Sequence, residues 1–280
     1  MIKEGLKIIL NKIMVNNYLG IDGCRSGWAI VEISHDLESC IWNFFLFPAI
    51  KDVYEKYFKA CLIAKPDSNL TAFLHHEHIV KQILIDIPIG LKESGPEERQ
   101  CDIEARKYLG PKRGSSVFRV PVRKTVYCNE DYRQASLINY KLTGKKISKQ
   151  TFHICKKIRA VDEFIDSIKS DSASTAIMHE SHPEVVFKSL AGTPLSYSKK
   201  TRAGFNERLD IIKTFNSSIE SFLDGIYKNF KKYEVQPDDI LDASALAIAA
   251  KNIYLTGKII KLPEEPELDS RELRMEIVFG

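Results

Sequence analysis

The apolar and polar positions of this 280-residue chain fall into a small set of rhythms. Between residues 17 and 47, three stretches read as β-strands. NYLGIDG is an apolar run closed by turn residues, GWAIVEIS is β-branched and partly alternating, and IWNFFLF is rich in aromatics. The gaps between them, at 24–26 and 35–39, are short, which predicts an antiparallel meander. Residues 50–64 place Val53, Tyr54, Tyr57, Phe58 and Cys61 at helical spacing, and Pro66 ends that run. Residues 81–88 (KQILIDIP) are apolar except for Lys81 and Asp86 near the two ends, as expected of a central strand buried on both faces. The order so far is β-β-β-α-β.

Residues 92–172 carry no strong strand signal and show helical patterns at 97–109, 131–142 and 150–168, so they read as a large, mostly helical insertion. TAIMHE at 175–180 is a short strand. Residues 183–190 form a helix opened by Pro183, and 202–222 a longer helix. DILDASALAIAAKNIY at 239–254 is an Ala-rich helix preceded by Pro237, with side chains small enough to pack closely on a sheet. ELRMEIVF at 272–279 alternates in part, like an extra C-terminal strand. No internal repeat and no Gly/Ser linker separates these elements, so residues 17–280 read as a single domain. Residues 1–16 are an N-terminal extension in which Ile2, Leu6, Ile9, Leu10 and Ile13 share a helical stripe. They form either a short docking helix or a stretch ahead of a start at Met14.

Composition narrows the class. With 44% hydrophobic and 28% charged residues, the chain is neither disordered nor fibrous. No apolar run reaches the ~20 residues of a membrane span, so no membrane partner is expected. Six cysteines show neither a CxxC pair nor zinc spacing, which points to a reducing cytoplasm. The net charge of +4 conceals a segregation: from Arg106 to Arg159 there are fifteen Lys or Arg against Glu130 and Asp131. That surplus of thirteen leaves the rest of the chain at −9.

Three groups of residues carry candidate chemistry. Asp22 sits in GIDG, where glycines allow close approach of a ligand, and Asp86 ends a buried strand, where a carboxylate is costly unless a positive group meets it. Asp239 and Asp242, three residues apart, share one face at the start of the last helix. If the first and fourth strands are neighbours, these acids converge, and hard carboxylate oxygens suit Mg²⁺ or Mn²⁺. Asp22 also fits a turn, and Asp238 and Asp239 a helix start. The second group, His179-Glu180-Ser181-His182-Pro183-Glu184, offers metal ligands or a base, yet Ser181 to Glu184 also has capping-box spacing. The third is basic: Arg99 and Arg106 at helical spacing, then Arg113, Ser115, Ser116, Arg119 and Arg123, whose charges and hydroxyls suit phosphate, while Phe118 and Tyr127 suit base stacking. Lys199, Lys200, Gly204 and Arg208 either extend that surface or form an exposed helix face. His75, His76, Glu77 and His78 read as a solvated loop.

The ordered segments GIDGCRSGW, LIDIPIGL, RQCDIEARKYLG, RGSSVFRVPVR, HESHPEVVF, KTRAGFNER, DDILDASALA and LRMEIVF resemble the domain of unknown function 429 family, described as predicted RNase H-like nucleases, over about residues 18–279. The resemblance implies an α/β, RNase H-like mixed five-stranded sheet with three antiparallel strands first. It also implies a nuclease resembling Holliday-junction resolvases, with catalytic and metal-binding acids at Asp22, Asp86, Asp239 and Asp242. Glu180 and His182 belong to the family's own motif. Cys24, Arg25 and Trp28 make the rim beside Asp22 bulkier than a bare nuclease cleft. The expected activity is two-metal phosphodiester hydrolysis, with Mg²⁺ or Mn²⁺ as cofactor, Glu180 assisting, and nucleic acid or another phosphate-rich anion held by Arg25, His182, Lys200, Arg208 and the basic insertion. Two alternatives stand beside it: a non-enzymatic module that binds an anion, and an actin-like phosphotransferase, which would need a second GxDG strand that is missing here.

Overall fold

The computed structural model describes residues 14–35, 39–59, 77–128, 131–169, 171, 175 and 177–280. β1 (Met14–Cys24) pairs antiparallel with β2 (Gly27–His35), and β2 pairs antiparallel with β3 (Cys40–Phe47). α1 (Ile50–Tyr54), continued by a π-helical turn (Glu55–Lys59), follows. β4 (Glu77–Ile85) then lies parallel to β1 on the side away from β2, as a crossover connection permits. α2 (Gln100–Leu109), a 3₁₀ turn (Gly114–Ser116), α3 (Arg123–Val126), α4 (Tyr132–Thr143) and α5 (Lys149–Ser167) fill the stretch read as a helical insertion. Asp131 caps α4 by accepting from the amides of Arg133 and Gln134, and Ser148 caps α5 by accepting from that of Thr151.

β5 (Met178–Glu180) is parallel to β4, so the sheet runs β3-β2-β1-β4-β5: mixed, five-stranded, with the three antiparallel strands first. α6 (Pro183–Ala191), α7 (Arg202–Lys213), α8 (Ile219–Asn229) and α9 (Pro237–Thr256) follow. β6 (Ile260–Leu268) and β7 (Arg274–Phe279) form a separate antiparallel pair, tied to the main sheet where the Ser181 hydroxyl donates to the Val278 carbonyl at 2.6 Å.

Several boundaries differ from those read in the sequence. β1 takes in Met14 to Asn16, so the extension is shorter than expected; residues 1–13, with the proposed docking helix, lie outside the described residues, as do His75 and His76. β4 begins at Glu77, four residues before Lys81, because residues 77–80 pair with residues 14–17 at the start of β1. The helix expected over 202–222 is two helices. The Asn216 carboxamide oxygen accepts from the Ser218 amide at 3.0 Å, a side-chain turn that replaces the helical ladder. β6 contains Pro263 and Pro266, which a two-stranded edge tolerates, and its pairing slips between Leu262 and Glu267.

Alternation along β1 divides the interior. Tyr18 joins the core on the α9 side, while Leu19 and Ile21 join the core formed with α1 and α5. α9 is buried at every position from Ile240 to Ala250 because it packs on β1, β2 and β4 and is overlaid by α6 and α7. Its alanines and Gly20 make the contact close. A Cβ at residue 20 would stand 2.0 Å from the Ala243 carbonyl oxygen and 2.3 Å from the Ala247 nitrogen. No helix among the described residues is long and apolar enough to cross a membrane.

Candidate active site

The period-two alternation that sends Tyr18 toward α9 does the same for Asp22. Leu84 lies in the same core, so Asp86, two residues on, emerges on that side. Its amide donates to the Ile21 carbonyl at 2.9 Å and seats it beside the end of β1. The close seat of α9 on Gly20 brings the start of that helix, with Asp239 and Asp242, to the same place. All four aspartates line one cleft of about 470 Å³. Three sequence-distant elements thus meet at the carboxyl ends of β1 and β4.

Their electrostatics follow from that crowding. Burial, with repulsion from Asp86 and Asp242, holds the Asp22 carboxyl well above the usual carboxylate range, against the pull of Lys199. Asp86 is pushed up to about 7, chiefly by burial, with Lys199 opposing and Asp242 and Glu180 adding to the rise. Asp239 is raised by burial and by Asp238 and Asp242, although it accepts from the Gln236 amide at 2.9 Å. Asp242 is 1% exposed: one carboxylate oxygen takes the Lys199 ammonium at 2.5 Å, and the other, Oδ1, is buried without a partner. Lys199 is in turn held above its ordinary range by Asp242 first, and by Asp22 and Asp86.

The donors fit a hard divalent cation. Four carboxylates that disfavour one another's charge, one of them with a buried orphaned oxygen, would each gain from a shared cation. The aspartates do not close into a tight cage. Among the described residues, the His, Cys, Asp and Glu donors that gather within 4.8 Å of one another are those of Cys101, Asp102 and Glu180. That trio already has its cation. The Arg99 guanidinium, 2% exposed, bonds Asp102 at 2.6 and 3.1 Å and Glu180 at 2.6 and 2.9 Å.

The structure therefore revises several roles. Arg99 is not available to phosphate, and Glu180 is not open to a metal. Glu180 is in register with Ile85 rather than Asp86, and it also accepts from the Ile89 amide at 2.6 Å, so it braces the segment that follows Asp86. Arg123, expected to hold substrate, is buried among Glu93, Asp162 and Asp269, away from the cleft. Arg208 is buried against Glu184 with two contacts of 2.6 Å, and Arg113 meets the same carboxylate. Arg106 pairs with Glu98, while Arg119 donates to the Pro96 carbonyl at 2.6 Å. Arg25 is exposed and Lys200 pairs with Asp238 at 2.6 Å; of the two, Lys200 lines the cleft, as do Ser115 and Ser116.

His182 caps α6. Its Nδ1 accepts from the Glu184 amide at 3.2 Å, which leaves the proton on Nε2, 3.4 Å from the Ser116 carbonyl. Burial pushes its pKa down to about 4, so the ring is a fixed neutral donor rather than a base. Two lysines that no linear pattern tied to the acids stand here. Lys199 meets Asp242 from 43 positions away. Lys157 reaches the Gly27 carbonyl at 2.5 Å and lies 4.5 Å over the Trp28 ring.

No curated protein and no solved structure matches the chain. A family profile described as a protein of unknown function (DUF429) matches residues 20–268, a span that holds Asp22, Asp86, Glu180, Asp239 and Asp242, and the chain belongs to that family.

Proposed function

We propose that the protein is a divalent-cation-dependent hydrolase of phosphodiester bonds in nucleic acid. The observation that carries this reading is the convergence of Asp22, Asp86, Asp239 and Asp242 from β1, β4 and α9 on one cleft, with the buried Asp242 Oδ1 unpartnered. These aspartates would hold Mg²⁺ or Mn²⁺, which supplies charge at the phosphoryl oxygens and an activated water. The chain's own residues do the rest. Lys199 and Lys200 contribute positive charge to the cleft wall, and the Ser115 and Ser116 segment lines the same cleft. His182 orients that segment through the Ser116 carbonyl, and the Arg99–Glu180 pair holds the loop behind Asp86. The free Cys24, Cys40, Cys101, Cys128 and Cys155 suit a reducing compartment such as the cytoplasm.

The test is Mn²⁺-supported cleavage of branched, single-stranded and RNA–DNA hybrid substrates, together with calorimetric Mn²⁺ binding. Asp22→Asn and Asp86→Asn are each expected to abolish cleavage and weaken Mn²⁺ binding. Cleavage that survives both substitutions ends the assignment. One observation favours a second reading, a non-enzymatic anion-binding module: none of the fifteen cationic residues between Arg106 and Arg159 lines the cleft. Under that reading polyanion affinity is the same in Asp22→Asn as in the natural chain, and Mn²⁺ does not bind.

A further inference from the structure

Apart from the mutually paired Arg99 and Asp102, what the insertion adds to the lining of the cleft does not match a surface that grips a run of phosphates. From 115 to 120 and from 148 to 154 it presents Ser115, Phe118, Val120, Gln150, Thr151 and Ile154, all uncharged. Three cations of the same insertion are engaged elsewhere: Arg106 on Glu98, Arg123 on Asp162 and Asp269, and Arg159 on Glu163. The lining therefore combines an ionic set with an aromatic and aliphatic set that carries hydroxyls and a carboxamide. The cleft's volume of about 470 Å³ falls in the range of small-ligand pockets.

A nucleoside phosphate has the same dual character: a charged phosphoryl group at one end and, at the other, a flat base with a hydrogen-bonding edge. We infer that the cleft takes one unstacked nucleotide, with its phosphate toward the aspartates and Lys199, its base against Phe118, Val120 and Ile154, and Gln150 and Thr151 at the base edge. This inference rests on the phosphodiester reading and names the unit that the site recognises. The nucleotide comes either from the free pool or from an unpaired position in a strand. A base buried against an aromatic face and read at its edge is the arrangement used by enzymes that act on a nucleotide taken out of its stack.

The test is calorimetry on the full chain in the presence of Mn²⁺, comparing nucleoside 5′-monophosphates with ribose 5-phosphate. The nucleotides are expected to bind about tenfold tighter or more, the worth of one stacked base. Phe118→Ala should erase most of that difference while leaving ribose 5-phosphate and Mn²⁺ affinities unchanged. Phe118→Leu, which keeps most of the packing volume and removes the ring face, should do the same and serves if the Ala variant does not fold. A single-stranded oligonucleotide that binds where a blunt duplex does not, with mononucleotides weak, assigns the nucleotide to a strand; tight mononucleotides assign it to the free pool. Equal binding of ribose 5-phosphate and nucleotide, with Mn²⁺ still bound, overturns the inference and leaves the hydrolase reading standing. Absence of Mn²⁺ binding overturns both.

Discussion

Gly20→Ala tests the idea that the cleft exists because α9 lies hard against β1. The added Cβ would fall 2.0 Å from the Ala243 carbonyl oxygen, 2.3 Å from the Ala247 nitrogen and 2.9 Å from the Leu246 carbonyl carbon, where real contacts keep at least 3.0 Å. Every one of these neighbours is backbone, so no side chain can swing aside, and α9 must withdraw from β1 by about 1 Å. Overpacking of a tight core costs about 1–3 kcal/mol, and a backbone-on-backbone clash belongs at or above the top of that range. For a chain of this size, about 3 kcal/mol lowers the melting temperature by roughly 6–12 °C. The same retreat carries Asp239 and Asp242 away from Asp22 and Asp86, so Mn²⁺ affinity should fall with stability. Gly225→Ala on α8 is the control, because a Cβ there meets nothing within 4 Å; it should gain up to about 1 kcal/mol from helix propensity. The measurements are thermal melts and Mn²⁺ calorimetry on the three chains. An unchanged melting temperature in Gly20→Ala refutes the packing argument, and a lowered one with natural Mn²⁺ affinity refutes the link from packing to site.

Two further perturbations probe the charges. Lys199→Met removes the hydrogen-bond partner that the Asp242 carboxylate has among the described residues and leaves a group that is 1% exposed without its paired ammonium. Melting without metal should fall by an amount toward the low end of the ~3–5 kcal/mol typical of broken buried pairs, since the lysine side chain is 37% exposed. Mn²⁺ should then restore more stability than it adds to the natural chain, and equal stabilisation of both would contradict competition between ammonium and ion for Asp242. The pH dependence has a definite sign. Asp86 in the folded chain holds its proton up to about pH 7, against 3.8 as its ordinary value, so between about pH 4 and pH 7 the folded state binds more protons than the unfolded. Without metal, stability relative to Asp86→Asn should therefore decline as pH rises through that window and level off above it; a relative stability that climbs instead would be incompatible with a raised Asp86.

The legible part of the fold was the part written in short-range periodicity. Alternation in β1 and β2, the apolar run of β4, the Ala-rich stretch of α9 and the Asp131 start of α4 are consequences of neighbours two to four residues apart. The losses came where a local signal was masked. Asn216 breaks a helix whose apolar spacing runs straight through the break, and the prolines of β6 hide a strand that survives because it sits on an edge. Of the four aspartates, Asp86 was anomalous against its own neighbours, whereas Asp22 also fitted a turn and Asp239 a helix start; the sheet order brought them together. The basic residues did not sort in this way. Arg99, Arg123 and Arg208 look like a phosphate-binding series in the chain, yet each meets an acid that only folding brings near: Glu180, Asp269 and Glu184.

The sequence by itself determined the β-β-β-α-β order, the helical insertion and the acids at the strand ends, because alternation, helical spacing and the burial cost of a lone carboxylate are properties of a few adjacent residues. Only the tertiary structure decided which charges are spent and which remain for chemistry. Asp242 meets Lys199 across 43 positions, while Arg123 meets Asp269 across 146. Coulombic pairing depends on distance in space, and a linear count of charges contains no such distance.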